Sequence, residues 1–149
     1  MHTDLSFAIL DKSGNTLRFD EFAYERSLAA AHGSYDDANW LRCRITLHAT
    51  IKHSVHASLL TTELRELAET LETGATRPFD NEAIFEPMEP YIELRISRID
   101  RSVNVTARLD LVPATGPVIE FDYECRPEEV SVTITDIERV IVAFPERKT

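Results

Sequence analysis

An α+β fold is predicted by three features of the sequence: runs in which apolar and polar residues alternate, a central stretch with helical spacing, and a C-terminal stretch ending at a proline. Alternation with period two places one side of a strand against a core, whereas apolar residues three and four apart line one side of a helix. Leu5 to Leu10 and Thr16 to Tyr24 read as two strands joined by the turn residues Asp11-Lys12-Ser13-Gly14-Asn15. A loop is expected over Ala29 to Ala38, which includes His32 and Gly33. Then comes a strand from Trp40 to Ile51, with Leu41, Cys43, Ile45, Leu47, Ala49 and Ile51 facing inward and Trp40 as a core anchor.

The period changes at Leu60. Leu60, Leu64, Leu67, Ala68 and Leu71 share one helical stripe, predicting an amphipathic helix over about 58–73. Ser58 or Thr61 is the expected N-cap and Thr73-Gly74 the stop, with Glu63, Arg65, Glu66, Glu69 and Glu72 in solvent. Four further strands follow, over Asn81 to Glu86, Tyr91 to Ser97, Ser102 to Leu109 and Val118 to Cys125, with connections suited to an antiparallel meander. Val130, Ile134, Ile137, Ile141 and Phe144 predict a second amphipathic helix over about 128–144, opened by Pro127 and closed by Pro145. Antiparallel sheet with two amphipathic helices gives one α+β domain over 1–149, with no sequence repeat.

Of the 149 residues, Asp and Glu number 26 against 16 Lys and Arg, a formal net charge of -10. A field of that sign repels phosphate backbones and anionic lipid, so neither nucleic acid nor membrane is an expected partner. The charge is also localised. Between Asp110 and Glu138 stand eight acidic residues and, of the basic ones, Arg126 alone. Such a surface suits a cationic protein, because complementary charge speeds association and rejects wrong partners; solubility is the competing explanation. Cys43 and Cys125 lie in alternating runs and are expected as buried thiols. With no basic leader and no apolar run of spanning length, a cytoplasmic protein is expected.

Catalytic signatures are not found: the sequence has no G-x-S-x-G, P-loop, G-x-G-x-x-G or H-E-x-x-H. His48, His53 and His56 form a loose group without zinc spacing, and solvent-facing or capping roles are favoured over a metal. Acidic pairs are plentiful, and cross-strand pairing of Arg95 or Arg108 with Glu120 or Asp122 is expected for some. The candidate binding residues are Asp36, Asp37, Glu86, Glu89, Glu93, Glu120, Asp122 and Glu124. No catalytic residue, metal or cofactor is assigned.

The run Asp36-Asp37-Ala38-Asn39-Trp40-Leu41, the helix LLTTELRELAETL, and the segments AIFEPMEPYIELRI, VNVTARL and VIEFDYEC resemble the WapI-like immunity proteins. The positions that match as motif are Asn39-Trp40-Leu41 and Glu86-Pro87-Met88-Glu89-Pro90-Tyr91. This resemblance implies a cytoplasmic, non-enzymatic α+β protein that neutralises its own cell's wall-associated or polymorphic tRNase-type toxin. Two other readings remain at the level of sequence: an acidic hydrolase using carboxylates or a histidine-bound metal, and a structural module that oligomerises.

Overall fold

A computed structural model describes residues 5–27, 29–31, 34–112 and 115–148. The first sheet is built from β1 (Phe7–Leu10), β2 (Thr16–Tyr24), β3 (Trp40–His48) and β4 (Lys52–Leu60), paired antiparallel in that order. Helix α2 (Thr61–Gly74) follows, after the short α1 (Tyr35–Asn39) that precedes β3. The second sheet repeats the plan with β5 (Ala83–Phe85), β6 (Ile92–Ile99), β7 (Ser102–Asp110) and β8 (Val118–Cys125), again in sequential order, and ends in α3 (Pro127–Ala143). The chain therefore runs twice through four antiparallel strands and a helix, a repeat of topology that the side chains do not advertise.

Both sheets turn an apolar face inward, and register fixes which residues share it. Phe7, Phe19, Ile45 and Val55 stand opposite one another across the first sheet, and Ala83, Ile96, Val105 and Tyr123 across the second. One cluster of buried side chains runs through both sheets and through Leu64, Leu67, Leu71, Val130, Ile137 and Val140 of the helices. Each large side chain taken from water there contributes about 1.5–3 kcal/mol. The helices pack on each other, α2 also on β5 and β6, and α3 on β1 and β7. Among the polar bonds that tie the halves, Thr133 Oγ1 donates to the Ala8 carbonyl at 2.7 Å, and Tyr123 Oη to the Thr16 carbonyl at 3.0 Å.

The expected hairpin is present, and its turn has a clear cause. Asp11 Oδ1 accepts from the backbone N–H groups of Ser13 and Asn15 at 2.9 and 2.8 Å, while Gly14 takes a φ of 89°, which favours glycine. The strand expected from Trp40 to Ile51 stops at His48, and Ile51 lies in a turn, 63% exposed. Lys52 to Leu60 then forms β4, a strand the sequence reading assigned partly to the helix. The loop expected over Ala29 to Ala38 holds a 3₁₀ turn at Ala29–Ala31 and the start of α1; His32 and Gly33 lie outside the described residues.

Helix α2 begins at Thr61, one residue after the first leucine of its stripe and three after the expected start. Its N-cap is Leu60, without a side-chain cap, and neither Ser58 nor Thr61 fills the role. Ser58 Oγ donates instead to Glu25, and Thr61 Oγ1 to Asn39 Oδ1 at 3.2 Å. Glu63, expected in solvent, is buried and accepts from the Leu60 N–H at 2.8 Å and from the Met88 N–H at 2.6 Å. Gly74 is the last residue of the helix, and a Cβ there would sit 2.5 Å from Ile96 Cβ on β6. Its reason is close approach of helix to sheet.

Candidate functional site: an acidic face on the second sheet

The outward positions of β6, β7 and β8 form cross-strand rows. Glu93 stands opposite Arg108, which stands opposite Glu120; Arg95 opposite Thr106, then Asp122; Ser97 opposite Asn104, then Glu124. Four of the eight candidate residues, Glu93, Glu120, Asp122 and Glu124, therefore share one face, and only Arg95 and Arg108 oppose them in these rows. Their pairing differs from that expected, because each guanidinium turns along its own strand or to the edge. Arg95 binds Glu93 at 2.7 Å and Glu82 at 2.9 Å, and Arg108 Nε lies 3.6 Å from Asp110 Oδ1. Glu120 and Asp122 are left without an ion pair among the described residues; Asp122 accepts from Thr106 Oγ1 at 2.6 Å.

Glu124 is more constrained. Lys12, from the first hairpin turn, reaches it at 3.1 Å, and Ser102 Oγ donates to it at 3.0 Å. These bonds, that from Lys12 foremost, hold its carboxyl below the ordinary range. The Lys12 N–H also donates to the Glu124 carbonyl at 2.9 Å, so the first sheet's turn is seated on the edge strand β8.

Beside this face opens a shallow cleft of about 260 Å³, lined by Glu86, Pro87, Pro90, Ile92, Glu93, Arg108 and Asp110. Asp110 Oδ1 is shielded from solvent there and has no hydrogen bond among the described residues. A second cleft, of about 300 Å³, is lined by Phe79, Glu82, Glu93, Arg95, Thr106, Arg108 and Glu120. Glu93 and Arg108 belong to both, so the two clefts and the face form a continuous acidic surface. What such a surface offers is a field and hydrogen-bond acceptors for ammonium and guanidinium groups.

The other candidates lie elsewhere or are occupied. Asp36 and Asp37 fall in the first turn of α1, where Asp37 is 3.4 Å from Arg26; among the described residues no hydrogen bond or ion pair links them with β6 to β8. Glu89 accepts from the Ser58 N–H at 3.2 Å. Together with Glu63 on Met88, this fastens the loop Glu86 to Pro90 to the junction of β4 and α2. Burial pushes the Glu63 carboxyl above its ordinary range, against the pull of its two backbone donors, and the charges of Glu66 and Glu89 add to the rise.

Asn39 is the residue whose role sequence reasoning missed most completely. It is wholly buried, whereas Trp40, expected as the anchor, is half-buried. Its amide nitrogen donates to the carbonyls of Tyr35 (2.9 Å) and Arg147 (2.8 Å), and its oxygen accepts from the Arg147 N–H (2.6 Å) as well as from Thr61. The Arg147 guanidinium in turn stacks 3.7 Å over the Tyr24 ring and donates to the Ala38 and Arg26 carbonyls. Both motif segments, Asn39-Trp40-Leu41 and Glu86 to Tyr91, are thus fasteners of the fold.

The histidines do not converge. His48 and His56 occupy the outward face of the first sheet, while His53 shares the inward pleat with Val55. Cys43 and Cys125 are free and buried, and burial pushes both thiols up to about 12. Burial therefore disfavours the thiolate of both at neutral pH.

The sequence matches the Immunity protein WapI-like family over residues 8–145, nearly its whole length. The chain belongs to that family. Among curated proteins no match is found. A solved structure, that of the plant transcriptional regulator PBF-2, is similar at a TM-score of 0.51 and 12% identity, covering 97% of this chain and 84% of that one. At such identity the likeness concerns the fold only.

Proposed function

We propose that this WapI-like protein is an immunity protein that binds a cognate toxin and acts by covering it, without catalysis, from the cytoplasm of the toxin's own producer. The observation that carries the reading is the outward face of β6 to β8, where Glu93, Glu120, Asp122 and Glu124 outnumber Arg95 and Arg108. A toxin that cleaves tRNA has to attract a polyanion and so carries a basic surface. Carboxylates on a rigid sheet meet that surface in fixed positions, and occupying it denies the substrate its docking site. Family membership supports a toxin as partner, and the net charge of -10 supports a basic one.

The test is co-purification of the full chain with the toxin domain encoded beside its gene, with a growth assay for protection. A stable complex that loses affinity when Glu120→Lys and Asp122→Lys are introduced supports the reading. Absence of both binding and protection overturns it.

A further inference from the structure

The second sheet is bordered by β5, a strand of three residues whose other edge pairs with no strand among the described residues. An open edge presents unpaired backbone N–H and C=O groups and is a template for another strand. Helix α2 runs beside it. Between them lies a groove made of two adjoining hollows, of about 540 and 300 Å³, which share Glu66, Thr70 and Ile84. Ile84, at the centre of β5, lines both hollows, stands opposite Arg95 on the outward face of the sheet and is 45% exposed. The groove's rim carries Glu66, Glu69, Glu82 and Glu86, with Arg77 as the cation among its lining residues.

An edge strand with a helix alongside is the geometry in which extended peptides add to a sheet, main-chain bonds supplying affinity and alternate side chains supplying specificity. We propose that the β5 edge and the flank of α2 seat an extended segment of a partner protein in which lysine or arginine alternates with apolar residues. The apolar side chains of that segment lie beside Ile84, and its cations, on the opposite side of the added strand, reach Glu66 and Glu69 of α2. Charge selects this occupant over a second copy of the chain: antiparallel pairing of two β5 edges about Ile84 sets Glu82 of one copy against Glu86 of the other. Like charges directly opposite are destabilising. The identity of the partner as a toxin rests on the reading given above, whereas the groove and its chemistry do not.

Two arms separate the claims. The first uses a fluorescein-labelled ten-residue peptide of alternating lysine and valine, with alternating glutamate and valine as control, against the full chain. Expected are saturable binding of the lysine peptide alone and slowing of amide exchange at Ala83 to Phe85 by about tenfold or more. Binding should be lost in the Glu66→Lys, Glu69→Lys variant at unchanged melting temperature. Failure to bind at about 1 mM peptide, or binding without protection of β5, overturns the proposal. So does protection of β5 by self-association in the free chain, which would make a second copy the occupant. The second arm repeats the exchange measurement with the toxin domain encoded beside the gene. Protection of β5 in that complex supports both readings; a complex that leaves β5 unprotected overturns strand addition by the toxin and leaves the immunity reading standing. If no complex forms, the immunity reading falls and the peptide arm alone decides the groove.

Discussion

The two halves of this protein share a plan and differ in the charge they turn outward. On the first sheet the outward rows hold Arg18, Arg42, Arg44, Lys52, His48 and His56 about the buried Asp20; on the second they hold Glu93, Glu120, Asp122 and Glu124 against Arg95 and Arg108. Inward positions are interchangeable in character, both sheets offering Leu, Ile, Val and aromatic side chains to one core. Packing constrains the inner pleat of a sheet, whereas its outer pleat is open to other demands. The first sheet uses part of that freedom internally: Arg44 grips Asp20 at 2.9 and 3.1 Å, and Arg18 approaches it at 3.2 Å. The second leaves Glu120 and Asp122 to solvent, as the proposed binding role requires.

If the joints between elements hold the fold and the second sheet's face is reserved for binding, substitutions should grade accordingly. The largest loss is expected for Asn39→Leu, which strips partners from Tyr35, Thr61 and Arg147 together; urea titration should show about 4 kcal/mol. Gly74→Ala forces a Cβ onto β6 and should cost about 3 kcal/mol, read in the same titration. Glu63→Gln leaves one acceptor oxygen where two backbone N–H groups converge, for about 2 kcal/mol. A loss below about 0.5 kcal/mol there would show that the Glu86 to Pro90 loop is not held by this carboxylate.

Asp20→Asn comes next, and its effect depends on pH. Burial raises the Asp20 carboxyl, but the Arg44 and Arg18 guanidiniums outweigh it and hold it below the ordinary value of 3.8. An acid with a lowered folded pKa stabilises the fold above its unfolded pKa, and that stability is lost as pH falls through the folded one. Because Arg44 is 39% exposed, screening limits the loss at pH 7 to about 1 kcal/mol. The variant and the parent should converge in the most acidic solutions. Smallest of all is Glu120→Lys, which should move stability by less than about 0.5 kcal/mol while weakening any basic partner, with a dependence on salt. A large loss of stability from Glu120→Lys would break the comparison between the halves.

What could be read from the sequence follows the range of each interaction. Strands β2, β3, β7 and β8 and helix α3 announce themselves through periodicity, which is local. Strand β4 alternates too, with Val55, Ala57 and Leu59 inward, but Leu59 and Leu60 run straight into the stripe of α2 and blur the boundary. Of the candidate site, the acidic run of β8 is visible as charge density, and Glu93 and Glu86 join it in space. Glu89 and Glu63 carry the same letter as the solvent-facing acids, and only their distant backbone donors, 31 and 25 residues away, distinguish them. Asn39 meets Arg147 across 108 residues, a separation over which composition gives no signal.

That last separation also sets an order of events during synthesis. Residues up to Gly74 contain the whole first sheet and its helix, so that half is free to begin folding while the rest is still being translated. The Asn39 amide, however, has only Tyr35 and Thr61 as partners until Arg147 has left the ribosome, and Tyr24, Arg26 and Ala38 wait for the same residue. The corner where α1 meets β2 is therefore begun with the first sheet and sealed only after the second half has been made.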